Sequence, residues 1–321
     1  MNRKNWIKYL DYFYLSRPML FFPGWSTLLA GYLVSAGGIY GWSEAGWNGF
    51  FINLWRDQIA LGMIAFMAAM GASFIMNQLH DVESDRENNK LFLLGENYVT
   101  KPAAMVESIL LIIFSLGLSS LINSRIVFLN FLFILVTGYL YNFPPFQYKN
   151  RPLLGLYLNI FMGWIAFALG WSLLRQLDWS FFISSLPYVF LNTGLYLLTT
   201  MPDADGDRAS DKSTFCVRYG LKTTIRSSMV FYFLSILTGM FLGDYLILSI
   251  DLLVVYWAIR LILGPSVANA IKMIKMSIFF FSALISLKFP LYFLLMLIVF
   301  FVTKYYYRVR FQFDYPNFRG E

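Results

Sequence analysis

Two groups of carboxylate and amide side chains with the same internal spacing are the features of this sequence best suited to chemistry. Each group has three members that stand four residues apart: Asn77, Asp81 and Asp85 in the first group, and Asp203, Asp207 and Asp211 in the second. Side chains with this spacing fall on one face of a helix, within an arc of about 80°. Each group also follows an apolar stretch, which places both groups where a buried helix ends.

Grouped carboxylates repel one another unless a cation compensates their charge. Mg²⁺ prefers hard oxygen ligands, and it usually binds through a few carboxylates together with substrate phosphates. Two facing groups would therefore hold Mg²⁺ ions that bridge a diphosphate. A solvated loop is the ordinary interpretation of one acidic group, but two matched groups favour this site. Basic residues on the same predicted side would add direct phosphate contacts, and these are Arg86, Lys90, Lys149, Arg151, Arg208 and Lys212.

A third polar segment, YNFPPFQYKNRP, lies between two apolar stretches and begins at Tyr141. Its paired prolines, Pro144 and Pro145, indicate a stiff turn, and a tyrosine at its start suits a membrane interface. Lys149 and Arg151 follow within the same segment. We expect this loop to bring Tyr141 and the two cations towards the diphosphate.

The elements that position these loops are strongly apolar. Of the 321 residues, 58% are hydrophobic, 20% are aromatic and only 13% are charged. A chain of this composition exposes more apolar surface than one soluble core can cover, so we predict an all-α, polytopic transmembrane helical bundle. The single cysteine, Cys216, and the single histidine, His80, exclude an intrachain disulfide and zinc sites built on several such ligands.

Apolar windows of about 20 residues predict nine to ten spans within a single integral membrane domain over residues 1–321. The last two windows either form one long helix or are divided at Lys288-Phe289-Pro290, because proline disfavours a continuous helix. The second case gives an additional C-terminal span at 289–307. The ten windows cover residues 18–36, 57–79, 103–122, 125–142, 153–173, 180–200, 226–242, 245–263, 273–287 and 289–307.

The distribution of basic residues predicts the orientation. With ten spans and both termini on one side, every Lys and Arg lies on that side except Arg56, Arg125, Arg175 and Lys288. The positive-inside rule then places the termini and both acidic loops in the cytoplasm of a multi-pass protein, in a cell inner membrane. The net charge of +7 is explained by these loops, so we expect no nucleic-acid partner.

The three polar segments together resemble the UbiA superfamily of intramembrane prenyltransferases. NQLHDVESD is similar to its first motif, NxxxDxxxD, and DADGDRASDKST is similar to its second motif, DxxxD followed by Gly-Asp-Arg. YNFPPFQYKNRPLLG resembles the connecting loop, and Arg17-Pro18 before the first span also fits. The resemblance covers about residues 10–290. It implies a bundle around a central cavity that opens to lipid, and Mg²⁺-dependent transfer of a prenyl group from an allylic prenyl diphosphate to a lipophilic acceptor.

The resemblance also implies roles by matched position. Asp81, Asp85, Asp203 and Asp207 would be the catalytic carboxylates. One Mg²⁺ ion would be held by Asn77, Asp81 and Asp85, and the second by Asp203 and Asp207 with Asp211. The leaving diphosphate would be neutralised by Arg86, Lys149 and Lys212. Many members carry Asn-Asp where this sequence has Thr199 and Thr200. The acceptor therefore stays open among a quinone precursor, a pigment, a carotenoid and a membrane lipid.

Three other functions stay open. A terpene cyclase, or a transferase of another prenyl-linked group, would use the same diphosphate chemistry. A cation transporter would use the same carboxylates, but transporters usually place acidic residues at mid-membrane or beside broken helices. Here the acidic groups stand at helix ends beside Arg and Lys, which favours a phosphate ligand over a bare cation.

Overall fold

The computed structural model describes residues 5–37, 51–87 and 93–316, except for the side chains of residues 5 and 83–87. Helices and turns make up these ranges. Short 3₁₀ turns precede several helices, and the fifth helix continues as a π-helical segment, Ile134–Leu140. The helices are α1 (Leu10–Leu15), α2 (Phe21–Gly37), α3 (Ile59–Glu87), α4 (Lys101–Ser120), α5 (Ser124–Phe133), α6 (Pro152–Trp171), α7 (Trp179–Thr199), α8 (Ala204–Ala209), α9 (Phe215–Tyr219), α10 (Leu221–Leu242), α11 (Tyr245–Leu263), α12 (Val267–Ser286) and α13 (Pro290–Phe311).

Nine helical segments within the described ranges are long and apolar enough to cross a membrane. A tenth, Ser124–Leu140, is apolar but shorter. The prediction of a polytopic all-α bundle is therefore confirmed. The doubtful last pair forms two separate helices, α12 and α13, which are divided where the sequence places Pro290.

Two helices begin earlier in the chain than predicted. The seventh span was expected from 226 and begins at Leu221, and the ninth was expected from 273 and begins at Val267. Both helices start with a turn or more that carries Lys or Arg. A hydropathy window excludes such charged turns, although long basic side chains at a helix end reach the membrane–water interface.

Polar caps fix the beginnings of five of the described helices. In each, a short side chain accepts a hydrogen bond from a backbone N–H of the first turn, which otherwise has no partner within the helix. Asp178, for example, accepts from the Phe181 amide at 3.0 Å. The capping residues of α4, α5, α7, α11 and α12 are Thr100, Asn123, Asp178, Asp244 and Ser266.

Helices α2 and α6 cross at very short distance. A Cβ atom added to Gly31 would lie 2.1 Å from the Phe167 carbonyl oxygen, and one added to Gly170 would lie 1.7 Å from that of Leu28. The two backbones therefore touch where both side chains are absent. This contact joins α2 to the helix that carries Asn159 into the cavity described below.

Four basic residues were predicted to lie on the membrane side opposite the motifs, and in the structure they lie together at one end of the bundle. They are Arg56, Arg125, Arg175 and Lys288. The Arg125 guanidinium donates to the Arg175 carbonyl at 3.0 Å. The Ile52 amide donates to the Lys288 carbonyl at 2.7 Å. Arg56 precedes α3, whose far end carries the first motif. The motifs and these four residues thus occupy opposite ends of the described bundle.

Candidate active site

A cavity of about 300 Å³ brings the two motifs together. Its lining includes Asn77 and Asp81 from the end of α3, and Asp203 and Asp207 from the start of α8. Asn77 and Asp81 lie in the last turns of α3, and Asp203 and Asp207 follow α7. The two pairs face one space because α3 and α7 end on the same side of the bundle. Three basic side chains share the lining, and these are Arg17, Lys149 and Lys212.

Asp81 is the electrostatic centre of the cavity. Its Oδ1 accepts hydrogen bonds from Lys149 Nζ at 2.8 Å and from Lys212 Nζ at 2.5 Å. Asp81 and Lys149 are each only 8% exposed. Buried charges are tolerated when they are paired and hydrogen-bonded. This ion triad therefore ties α3 to the loop before α6 and to the loop after α8.

Asn142 supports the triad, although no sequence motif marks this residue. Its Nδ2 donates to the carbonyls of Thr137 and Gly138, at 2.8 and 2.9 Å. Its Oδ1 accepts from Asn77 Nδ2 at 2.7 Å and from Lys149 Nζ at 3.2 Å. This network fixes the orientation of both amides. The accepting carbonyls belong to the π-helical segment, a distortion that is frequent at functional sites.

We expect Asn142→Leu to lower the rate of diphosphate release by about 10- to 100-fold, the usual cost of removing a residue that orients a ligand. Leucine preserves the volume but cannot hold Asn77 and Lys149. A matched control is Asn130→Leu in α5, because Asn130 is equally buried and bonds Ser119 instead of the cavity residues. The rate per folded enzyme should fall only for Asn142→Leu, and equal rates would contradict a positioning role.

The second motif only partly follows its predicted pattern. Asp203 and Asp207 line the cavity, whereas the Asp205 side chain is fully exposed and pairs with Arg208 at 3.4 Å. Helix α8 ends at Ala209, and Asp211 has a left-handed backbone with φ 54°. The four-residue spacing therefore no longer keeps Asp211 on the face of Asp207. Neither Asp211 nor Arg208 is part of the cavity lining.

One other predicted diphosphate ligand lies outside the cavity, and the side chains of three predicted site residues are not described. Arg151 is exposed beside the Tyr148 ring, with its Cζ 5.7 Å from the ring centre, and it is not among the lining residues. Asp85 and Arg86 belong to the last turn of α3, but their side chains lie outside the described residues, as does the whole of Lys90. The roles of these residues stay predictions.

The donor set of the cavity suits Mg²⁺. Its lining supplies carboxylate and amide oxygens from Asn77, Asp81, Asp203 and Asp207, which are the hard ligands that this ion prefers. Among the side chains that the structure describes, no three of the His, Cys, Asp and Glu type already form a compact metal-binding group. Asp81 is instead compensated by the two lysines.

Further into the bundle, the lining has no charge. The side chains of Tyr141, Asn159 and Tyr196 lie next to one another. Tyr141 belongs to the loop predicted to reach the diphosphate. Asn159 and Tyr196 stand inside apolar stretches, where no motif marks them. The remaining lining on this side is uncharged, and it includes Leu20, Ser73, Phe74, Phe133, Thr137 and Met162.

The sequence of this chain is similar to those of known proteins. A family model described as UbiA prenyltransferase family matches residues 24–284. The chain is 29% identical, over 179 residues, to the chloroplastic 2-acyl-4-prenylphloroglucinol 6-prenyltransferase of Humulus lupulus, covering 50% of this chain and 41% of that protein. It is 22% identical, over 206 residues, to the digeranylgeranylglyceryl phosphate synthase of Methanosphaera stadtmanae, covering 63% and 73%. The chain thus spans less than half of the length of the first relative.

Solved structures share the fold. A UbiA homologue from Archaeoglobus fulgidus bound to GPP and Mg²⁺ superimposes with a TM-score of 0.62 at 19% identity, covering 87% of this chain and 99% of that one. The apo form of a homologue from Aeropyrum pernix K1 gives 0.64 at 12% identity, covering 85% and 98%. These likenesses extend over most of both chains, and at such identities they establish the architecture.

Proposed function

Because this chain belongs to the UbiA prenyltransferase family, we propose that it transfers a prenyl group from an allylic prenyl diphosphate to a lipophilic acceptor in the membrane, with Mg²⁺ as cofactor. The observation that carries the proposal is the convergence of Asp81, Asp203 and Asp207 with Lys149 and Lys212 around one cavity. Carboxylates beside cations at the end of a helical bundle suit a metal-bound diphosphate better than a bare cation.

The reaction begins with ionisation of the allylic C–O bond, which leaves an allylic cation and a diphosphate anion. Lys149, Lys212 and Arg17 stabilise the negative charge that develops on the leaving group. Asn77, Asp81, Asp203 and Asp207 would hold Mg²⁺, which supplies Lewis-acid stabilisation of the same charge. The acceptor then forms a bond to the cationic carbon and loses a proton, which the released diphosphate can accept.

The uncharged part of the cavity suits the prenyl chain. Leu20 and Met162 offer apolar contacts, and the aromatic rings of Phe74, Phe133 and Tyr141 can stabilise an allylic cation. A lining of this kind also excludes water, which would otherwise hydrolyse the cation. The acceptor would approach from the same apolar side.

We further propose that residues 1–321 form one domain and that this domain lies in a cell inner membrane. Both termini and both acidic loops would face the cytoplasm. Support comes from the clustering of most Lys and Arg side chains at the motif end of the bundle, because such clustering marks the cytoplasmic side. The soluble prenyl diphosphate would then reach the cavity from the cytoplasm.

The test is a transfer assay on the purified protein in lipid, with radiolabelled geranylgeranyl or farnesyl diphosphate and a panel of acceptors. The two named relatives suggest that the panel contain an acylphloroglucinol and a glycerol phosphate lipid, beside quinone precursors, pigments and carotenoids. We expect Mg²⁺-dependent transfer of label to one acceptor.

Two other outcomes have definite meanings. Release of diphosphate without an adduct, together with a cyclised hydrocarbon, would indicate a terpene cyclase. No Mg²⁺-dependent turnover of either prenyl diphosphate by folded protein would contradict the proposal and favour a cation transporter.

A further inference from the structure

We infer that the two ends of the chain form a clamp that positions Arg17 for the diphosphate, an inference that rests on the function proposed above. The clamp consists of Asp11 in α1 and of Tyr306 and Arg310 in α13. Residues 24–284 carry the match to the family model, so all three clamp residues lie outside it. The last helix thereby becomes part of the architecture of the site.

The core of the clamp is a buried, fully bonded carboxylate. Arg310 donates from Nε to Asp11 Oδ1 at 3.2 Å, and from a terminal nitrogen to Oδ2 at 3.0 Å. The Tyr306 hydroxyl donates to Oδ1 at 2.7 Å. Asp11 is only 2% exposed. Bidentate guanidinium–carboxylate pairs are strong and directional, so this contact fixes α1 against α13 in one orientation.

Aromatic packing reinforces the same contact. The rings of Tyr14 and Tyr306 stack with their centres 3.7 Å apart. Tyr307 packs against both, at 5.6 and 4.9 Å, and Tyr315 covers Tyr307 at 5.1 Å. Tyr14, Tyr306 and Tyr307 are each at most 1% exposed. The N-terminal helix is therefore held by packing as well as by charge.

The clamped segment leads directly into the cavity. The Arg17 amide donates to the Tyr14 carbonyl at 3.1 Å, and Arg17 has a left-handed backbone with φ 54°. Such a conformation is uncommon for a residue other than glycine and persists where its surroundings fix it. Two residues before Arg17, the Leu15 carbonyl accepts a hydrogen bond from Gln78 Nε2 at 2.7 Å. Gln78 adjoins Asn77, so the segment also contacts the first motif.

These contacts make α1 a link between the clamp and the diphosphate end of the cavity. Asp11 stands less than two helical turns before Arg17, which lines the cavity. If the carboxylate loses its partners, α1 can shift and the guanidinium loses its fixed place. Asp11, Tyr306 and Arg310 are therefore positioning residues, which act through Arg17 and do not touch the substrate.

A double-mutant cycle tests this link through binding of inorganic diphosphate, in the presence of Mg²⁺, to the full-length protein in lipid. Arg17→Gln removes one charge-assisted contact between the guanidinium and the diphosphate, so it should weaken binding by about tenfold. Asp11→Asn keeps the shape of the side chain and should weaken binding by about three- to tenfold. The double variant should bind no more weakly than Arg17→Gln, because the clamp acts only through Arg17.

Two further variants separate the clamp from general destabilisation. Arg310→Lys keeps the charge but loses the bidentate fork, so it should weaken diphosphate binding as Asp11→Asn does. Lys304→Gln lies on the same helix and removes an ion pair with Asp314, whose side chain is 58% exposed. Diphosphate affinity should be unchanged for Lys304→Gln.

Additive losses in the double-mutant cycle would overturn the inference, as would unchanged diphosphate affinity in folded Asp11→Asn and Arg310→Lys. The Michaelis constant for the prenyl diphosphate should rise in parallel with the loss of binding, and that for the acceptor should not. The binding measurement needs no turnover. Absence of prenyl transfer would thus count against the proposed function, and an additive cycle would count against the clamp.

Discussion

Asp81→Asn is expected to lower the rate of diphosphate release from a prenyl diphosphate by about a thousandfold, at the upper end of what one electrostatic group contributes to a charged transition state. The substitution keeps the shape of the side chain and an oxygen that Lys149 and Lys212 can still bond. It removes the charge that those two lysines share and that would help to hold Mg²⁺. A single-turnover assay with radiolabelled prenyl diphosphate measures the effect.

The matched control is Asp205→Asn. Asp205 belongs to the second motif segment, but its side chain is fully exposed and pairs only with Arg208 among the contacts that the structure describes. Exposed pairs of this kind contribute little, so the rate should stay within about twofold of the unaltered protein. A comparable loss in both variants, or full activity in folded Asp81→Asn, would contradict the assignment of the site.

Gly170→Ala is expected to cost the fold about 3 kcal/mol, the upper range for overpacking a tight contact. The added methyl carbon would lie 1.7 Å from the Leu28 carbonyl oxygen, which is backbone and has no rotamer to move. Helices α2 and α6 must then separate. The thermal unfolding midpoint of the purified protein, and the fraction that elutes as a single species, report the change.

Gly117→Ala is the control for this substitution. Gly117 lies in α4, and a Cβ added there meets no atom within 4 Å. Alanine is favoured over glycine inside a helix by about 1 kcal/mol, so the variant should be as stable as the unaltered protein or more stable. Equal thermal unfolding midpoints for Gly170→Ala and Gly117→Ala would mean that the α2–α6 contact is not as close as described.

Much of the architecture is predictable because a membrane imposes one simple requirement. Each span needs an apolar run of sufficient length, and this fixed the helices and their order. The starts of α10 and α12 were missed because hydropathy does not recognise basic turns that continue a helix. The meeting of the two motifs also follows from the sequence, since both stand after spans that end on the same side.

What could not be predicted depends on contacts between distant segments. Asn142 meets Asn77 across 65 positions, and Arg310 meets Asp11 across 299. No local spacing encodes such pairs. The helical spacing rule also assumes that the helix continues, and it misplaced Asp211 because α8 ends first.

The most direct measurement of the central claim is equilibrium binding of a non-cleavable prenyl diphosphate analogue to the protein in lipid, with Mg²⁺ and with a chelator. We predict binding that requires Mg²⁺, is lost in Asp203→Asn and is retained in Asp205→Asn. Binding of equal affinity in the chelator, or in folded Asp203→Asn, would contradict the account of this cavity as a magnesium–prenyl diphosphate site.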